Sequence, residues 1–204
     1  AMEIILGLLA LQAGLIGERL FVALIVMAIV TSLVAGPAMQ WIMGQRKVSR
    51  LLDFLYAKAF VPQLRSRTRE GVIAELAAVL AQATGLPHTE ITGKVLEREK
   101  TMPTGIGRRA AIPHARIEGL TSPAIAVGYS KDGIDFDAPD GQPARLIFLV
   151  LTPKDEFQRQ LQILAEIGRL LRSEQAVERI LQAQSFVALR GLINSEEKAH
   201  VVPD

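Results

Sequence analysis

The chain has no cysteine among its 204 residues, which excludes disulfides and thiolate metal sites. It has only three histidines, His88, His114 and His200, too far apart for a ligand set, so neither a catalytic zinc nor any other metal or cofactor is expected. Its net charge is small, +2, and unevenly placed. Residues 45–70 carry Arg46, Lys47, Arg50, Lys58, Arg65, Arg67 and Arg69 against Asp53 and Glu70, a balance of 7 − 2, or +5. A nucleic-acid binder carries its positive charge on the folded domain. Here it clusters at one junction beside the most apolar part of the chain, so no nucleic-acid partner is expected. Half of the residues are hydrophobic, ample for a buried core, and no repeat or low-complexity tract is present.

Residues 20–43 carry no charged side chain. A helix of that length is about 36 Å long, against a hydrocarbon core of roughly 30 Å. A shorter apolar stretch, 2–16, precedes it across Gly17-Glu18-Arg19, and the two together predict a helical hairpin. Arg46, Lys47 and Arg50 follow directly, as positive residues do at the cytoplasmic end of a span. A signal peptide does not fit, because the long run lacks a basic leader and a small-residue cleavage site. A soluble hairpin buried in a homo-oligomer through residues 1–44 is the other reading. Ala1 ahead of Met2 reads as a cloning remnant, pointing to a truncated chain or a misassigned start.

Farther on, Val48, Leu51, Leu52, Leu55, Tyr56 and Ala59 have amphipathic helical spacing, and 60–64 is expected as a short strand. Ser66 or Thr68 then caps a helix over 70–82 that ends at Gly85, and 90–99 reads as another. Pro103, Gly105 and Gly107 turn the chain into a loop. Residues 124–129 and 146–151 are apolar and β-prone, with the turn-rich Asp137-Ala138-Pro139-Asp140-Gly141 between them. Pro153 ends the second strand. Leu161, Leu164, Ala165, Gly168 and Leu171 form one face of a long helix, and Ser173 and Ser185 cap two closing helices. The expected organisation is an apolar hairpin (1–44), a basic junction helix (45–58), an α/β domain with a sheet flanked by helices (59–195) and a polar tail (196–204).

Imidazole carries phosphate well, because its neutral nitrogen is nucleophilic near neutral pH and the phosphoramidate formed stays transferable. His114 lies in Thr104-Gly105-Ile106-Gly107-Arg108-Arg109-Ala110-Ala111-Ile112-Pro113-His114-Ala115-Arg116, where glycines can offer backbone N–H groups to an anion. By chemistry alone a histidine after proline is more often structural, and the arginines could form a solvated loop. His88 reads as an exposed turn residue and His200 as part of the frayed tail.

Leu96-Glu97-Arg98-Glu99, Thr104-Gly105-Ile106-Gly107 and Ala111-Ile112-Pro113-His114-Ala115-Arg116 resemble the signature of the fructose/mannitol-type and nitrogen-regulatory enzyme IIA family. Phe136-Asp137-Ala138, Asp140-Gly141-Gln142-Pro143 and Leu146-Ile147-Phe148-Leu149-Val150 match later elements in order. The resemblance implies a mixed sheet flanked by helices with the active histidine at one edge. It also implies that His114 accepts phosphate from an HPr-type carrier. Arg98, Arg116, Gly105, Gly107, Gln160 and Thr104 are the phosphate-stabilising candidates. For Arg98, a salt bridge to Glu97 or Glu99 is an equal alternative.

Two residues depart from the family pattern. Gln160 stands where many members have a second histidine, and glutamine hydrogen-bonds but carries no proton at neutral pH. Arg109 replaces a usual glycine, at a cost of about 1 kcal/mol if the site requires φ > 0. It could instead add a cation beside the phosphate.

At the other end, Met2-Glu3, Gly14-Leu15-Ile16, Leu20-Phe21, Met27-Ala28-Ile29-Val30-Thr31-Ser32 and Gly36-Pro37 resemble the last membrane segments of Kef-like cation/proton antiporters. Two spans cannot transport ions alone. The combined expectation is a phosphorylatable regulatory domain at the cytoplasmic face of the bacterial inner membrane, with an antiporter membrane domain as partner. The alternative is a non-catalytic regulatory module.

Overall fold

The computed structural model describes residues 2–44, 51–183 and 185–199. The chain divides into two units, Ala1–Ser49 and Arg50–Asp204. In the first, α1 (Met2–Gln12) and α2 (Glu18–Gly44) are joined by a turn at Gly14, whose φ is +72°. They form the expected hairpin, and α1 lets the Phe21 ring approach Gly7. No residue in the most apolar stretch of α2, within Glu18–Pro37, is buried.

The second unit is a mixed sheet between two helical layers. Its strands are β1 (Leu55–Val61), β2 (Gly105–Gly107), β3 (Ala110–Ala111), β4 (His114–Ile117), β5 (Ala124–Ile134) and β6 (Ala144–Pro153). The strand order is β1-β5-β6-β3-β2, with β4 following β3 along the same side of β6. β5 and β6 are antiparallel, whereas β1 on β5 and β3 and β4 on β6 are parallel. The central strands are buried on both faces, so they read as nearly continuous apolar runs rather than alternating ones. On one face α3 (Arg69–Thr84) and α4 (His88–Thr101) cover Ala111, Ala115, Ile117, Ile147, Leu149 and Leu151. On the other, α5 (Phe157–Leu170), α6 (Glu174–Leu181) and α7 (Phe186–Ala199) cover Ile112, Ile125, Val127, Leu146, Phe148 and Val150.

Local chemistry sets the helix ends. The Thr68 hydroxyl accepts from the Gly71 N–H at 3.2 Å, and Gly85 closes α3 at φ +74°. Ser173 and Ser185 cap the last two helices through the N–H groups of Ala176 and Ala188. These side chains satisfy N–H groups that the first turn leaves without partners.

Three expectations are corrected. The junction helix is absent over its described part: Leu51–Phe54 is one 3₁₀ turn and Leu55–Val61 is β1. The strand therefore starts well before residue 60. The edge of β5 offers Leu55–Val61 a ladder, and Tyr56, Phe60 and Val61 suit a pleated surface better than a helix. Residues 45–50 lie outside the described residues. In α5 the buried stripe is Gln160, Ile163, Ile167 and Leu170, while Leu161 is 50% exposed. Two apolar stripes run side by side on this helix, and the isoleucine one faces the sheet. Finally, α7 continues to Ala199, past the expected start of the tail; His200 lies outside the described residues.

Candidate functional site

His114 opens β4 at the sheet edge and is half-buried. Ala115 and Ile117 point into the core under α3 and α4. Strand alternation therefore sends His114 and Arg116 to the opposite face, toward α5. The backbone leading to His114 is pinned: the Ile112 N–H donates to the Thr104 carbonyl at 3.0 Å, and the Pro113 carbonyl accepts from Val150 at 2.9 Å.

The ring is oriented by its own chain. Nδ1 lies 2.8 Å from the Ile112 carbonyl. A carbonyl only accepts, so Nδ1 carries the proton and Nε2 keeps its lone pair. Burial lowers the His114 pKa below the usual 6.5, the Ile112 bond opposes that, and the Arg98 charge adds to the lowering. The ring is thus neutral at neutral pH, with one nucleophilic nitrogen.

Arg98, in the last turn of α4, donates through Nη1 to the Met102 carbonyl at 3.0 Å, folding the cation over the helix end. The alternative ion pairs are not made: Glu97 holds Lys94, and Glu99 holds Arg69. Arg116 stacks on Phe157, the first residue of α5, with its guanidinium carbon 5.6 Å from the ring centroid. Gln160, one turn further on, is buried on the stripe that faces the sheet. The structure therefore brings His114, Arg116 and Gln160 to one face, with Arg98 acting on the ring from the end of α4.

Thr104 plays a different part from the expected one. Its hydroxyl donates to Glu99 Oε2 at 2.5 Å and its N–H to Oε1 at 3.1 Å. Both donors are used inside the protein, so neither remains for an incoming anion. Glu99 is buried and answered by Arg69, whose guanidinium also bonds Asp137 at 2.7 Å and stacks on Phe136. This carboxylate and its arginine tie α3, α4 and two loops together behind the histidine. Sequence reading missed this role: Glu99 stands five residues before Thr104, a spacing that marks no motif.

The glycines also serve the loop's own packing. A Cβ on Gly105 would lie 2.6 Å from the Phe136 carbonyl oxygen, and the Gly105 N–H donates to that same oxygen at 3.2 Å. Gly107 has φ +80° and sits against the Asp140 carboxylate. Arg108 and Arg109 follow at φ 53° and 60°, so the site does require left-handed backbone at Arg109. Its side chain is not beside the histidine's partners: Nη1 bonds Glu178 at 2.6 Å and Nε bonds Gln142 at 3.2 Å. His88 is exposed as expected, but it is the first residue of α4, with Nε2 3.0 Å from the Ala74 carbonyl of α3.

Residues 53–196 match the family described as "Phosphoenolpyruvate-dependent sugar phosphotransferase system, EIIA 2"; the first unit lies outside the match. The "PTS system fructose-specific EIIABC component" of Bacillus subtilis is 37% identical over 150 residues, 73% of this chain but only 24% of that protein. A "Nitrogen regulatory protein" of Bradyrhizobium diazoefficiens is 30% identical over 143 residues, 70% of this chain and 94% of that protein. Among solved structures, "Nitrogen Regulatory Protein IIA-Ntr from Neisseria meningitidis" superposes with a TM-score of 0.67 at 25% identity, covering 70% of this chain and 98% of that one.

Proposed function

The chain belongs to the EIIA type-2 family of the phosphotransferase system, a family of phosphocarriers, and on that premise we propose that His114 accepts the phosphoryl group through Nε2. The observation that carries this is the Nδ1 bond to Ile112, which leaves Nε2 unprotonated. The donor is a phosphohistidine on an HPr-type protein. The Nε2 lone pair attacks phosphorus, the bond from phosphorus to the donor ring breaks, and its electron pair returns to that ring. The positive charge that develops on His114 is met at Nδ1–H by the Ile112 carbonyl, so no proton need move. Such a transfer depends on positioning and charge stabilisation, which Arg98 and Arg116 supply, with Gln160 as a hydrogen-bonding partner.

The unburied apolar surface of α2 supports a membrane-derived first unit. With the basic residues that follow, it supports a domain held at the cytoplasmic face of the inner membrane and regulating an attached or associated cation/proton antiporter. Nitrogen-type phosphotransferase signalling is the setting that the Bradyrhizobium relative favours. A second reading, a regulatory module that has lost the transfer, rests on Gln160 standing where a proton-carrying histidine is expected.

The test is to incubate the protein with phosphoenolpyruvate, enzyme I and an HPr-type carrier and to measure intact mass. One acid-labile phosphate, absent in His114→Ala, supports the carrier reading. No gain by the folded protein with several carriers selects the non-catalytic module.

A further inference from the structure

We infer that Thr152 is an additional phosphoryl-binding residue, whose hydroxyl stays without a partner until His114 is phosphorylated. The inference rests on the reading of His114 as acceptor. Thr152 is 0% exposed, and its Oγ1 has no hydrogen-bond partner. Buried hydroxyls almost always have one. Along β6, Leu146 to Leu151 are all apolar and Thr152 alone interrupts them, at a place where valine would fill the same space.

Its position says what the hydroxyl is for. Odd residues of β6 (Ile147, Leu149, Leu151) face α3 and α4, and even ones (Leu146, Phe148, Val150) face α5. Alternation puts Thr152 on the α5 face. In the β4–β6 register, His114 lies opposite Val150 and Arg116 opposite Thr152. Thr152 therefore shares a face with both His114 and Arg116. The His114 and Thr152 rungs are about 7 Å apart along the strands, a gap that an imidazole extended by a phosphoryl group can span. The α5 stripe over this end of the sheet begins with Gln160, which is also buried. Phosphoryl oxygens on Nε2 would meet a hydroxyl, an amide and a guanidinium on one face, and the hydroxyl is buried with nothing else to bond. No covalent step is added to the transfer described above.

The test is the equilibrium of phosphoryl exchange between the HPr-type carrier and His114, read by intact mass for wild type, Thr152→Val, Thr152→Ala and Thr152→Ser. A hydrogen bond to a charged group shifts such an equilibrium by about tenfold or more. Valine and alanine should therefore move it about tenfold toward the carrier, with serine near wild type. The unmodified Thr152→Val protein should melt no lower than wild type, since it loses only an unsatisfied group. Equal exchange ratios in wild type and the hydroxyl-free variants overturn the inference while leaving His114 as acceptor. Failure of both hydroxyl-free variants to fold also overturns it, because the hydroxyl would then serve the resting fold. A wild type that takes no phosphate fails earlier, at His114 itself, and removes both readings.

Discussion

The Ile112 carbonyl holds His114 Nδ1 at 2.8 Å across a single intervening residue, Pro113. Proline fixes its own φ and restricts the residue before it to extended backbone, so Ile112 has little freedom to turn its carbonyl away. Nuclear magnetic resonance of the ring nitrogens should show the Nδ1–H tautomer. Pro113→Ala should mix the tautomers and slow phosphorylation severalfold while leaving the fold intact.

The titration of His114 has a definite sign. Its folded pKa is lowered, chiefly by burial, so the unfolded chain binds the proton more readily. The resulting stability is present above about pH 6.5 and is lost as pH falls toward the lower folded value. Phosphorylation should hold steady at neutral pH and decline with a midpoint below 6.5. His114→Gln should flatten the corresponding part of the stability profile, measured by urea unfolding across pH.

Thr104 and Glu99 give a test of fold against function. Thr104→Val leaves a buried carboxylate oxygen without its 2.5 Å partner, at a cost of about 1.5–3 kcal/mol. Chemical denaturation should show that loss. Phosphorylation of the folded variant should change less than about threefold, because a hydroxyl bonded to Glu99 has no proton left for the phosphoryl group.

Gly105→Ala should be worse than its size implies. The new Cβ meets backbone atoms of Phe136 and Ala138, which cannot swing aside as the end of a side chain could. Overpacking of this kind costs about 1–3 kcal/mol, and the loop before β3 would shift. Both melting temperature and phosphorylation rate should fall.

Arg109→Gly sets two effects against each other. Glycine relieves left-handed backbone strain of about 1 kcal/mol. It also removes a half-exposed pair with Glu178, worth about 0–1 kcal/mol. Stability should hold or rise slightly, and phosphorylation should be unchanged, because the guanidinium is held by Glu178 and Gln142.

Motifs and end signals were the legible part of this chain. The Ile112-Pro113-His114 segment, the Thr68 and Ser173 caps and Gly85 act through neighbours in sequence, so their residue types announce them. What stayed hidden depends on distant partners. Nothing before β5 tells residues 55–61 to prefer a ladder over a helical stripe, and α5 carries two stripes that only the sheet distinguishes. The same choice of stripe buries Gln160. Thr104 looked like an anion donor because Glu99 was not known to claim both of its protons. Arg109 could be a phosphate cation or a strained turn residue until Glu178, 69 positions away, was brought to it.

The most direct test of the central claim is to locate the phosphate on the charged protein, by phosphorus–nitrogen correlation spectroscopy on histidine-labelled material. The account predicts one phosphate on Nε2 of His114, with the proton still on Nδ1. Phosphate on Nδ1, on another residue or on none at all would contradict it.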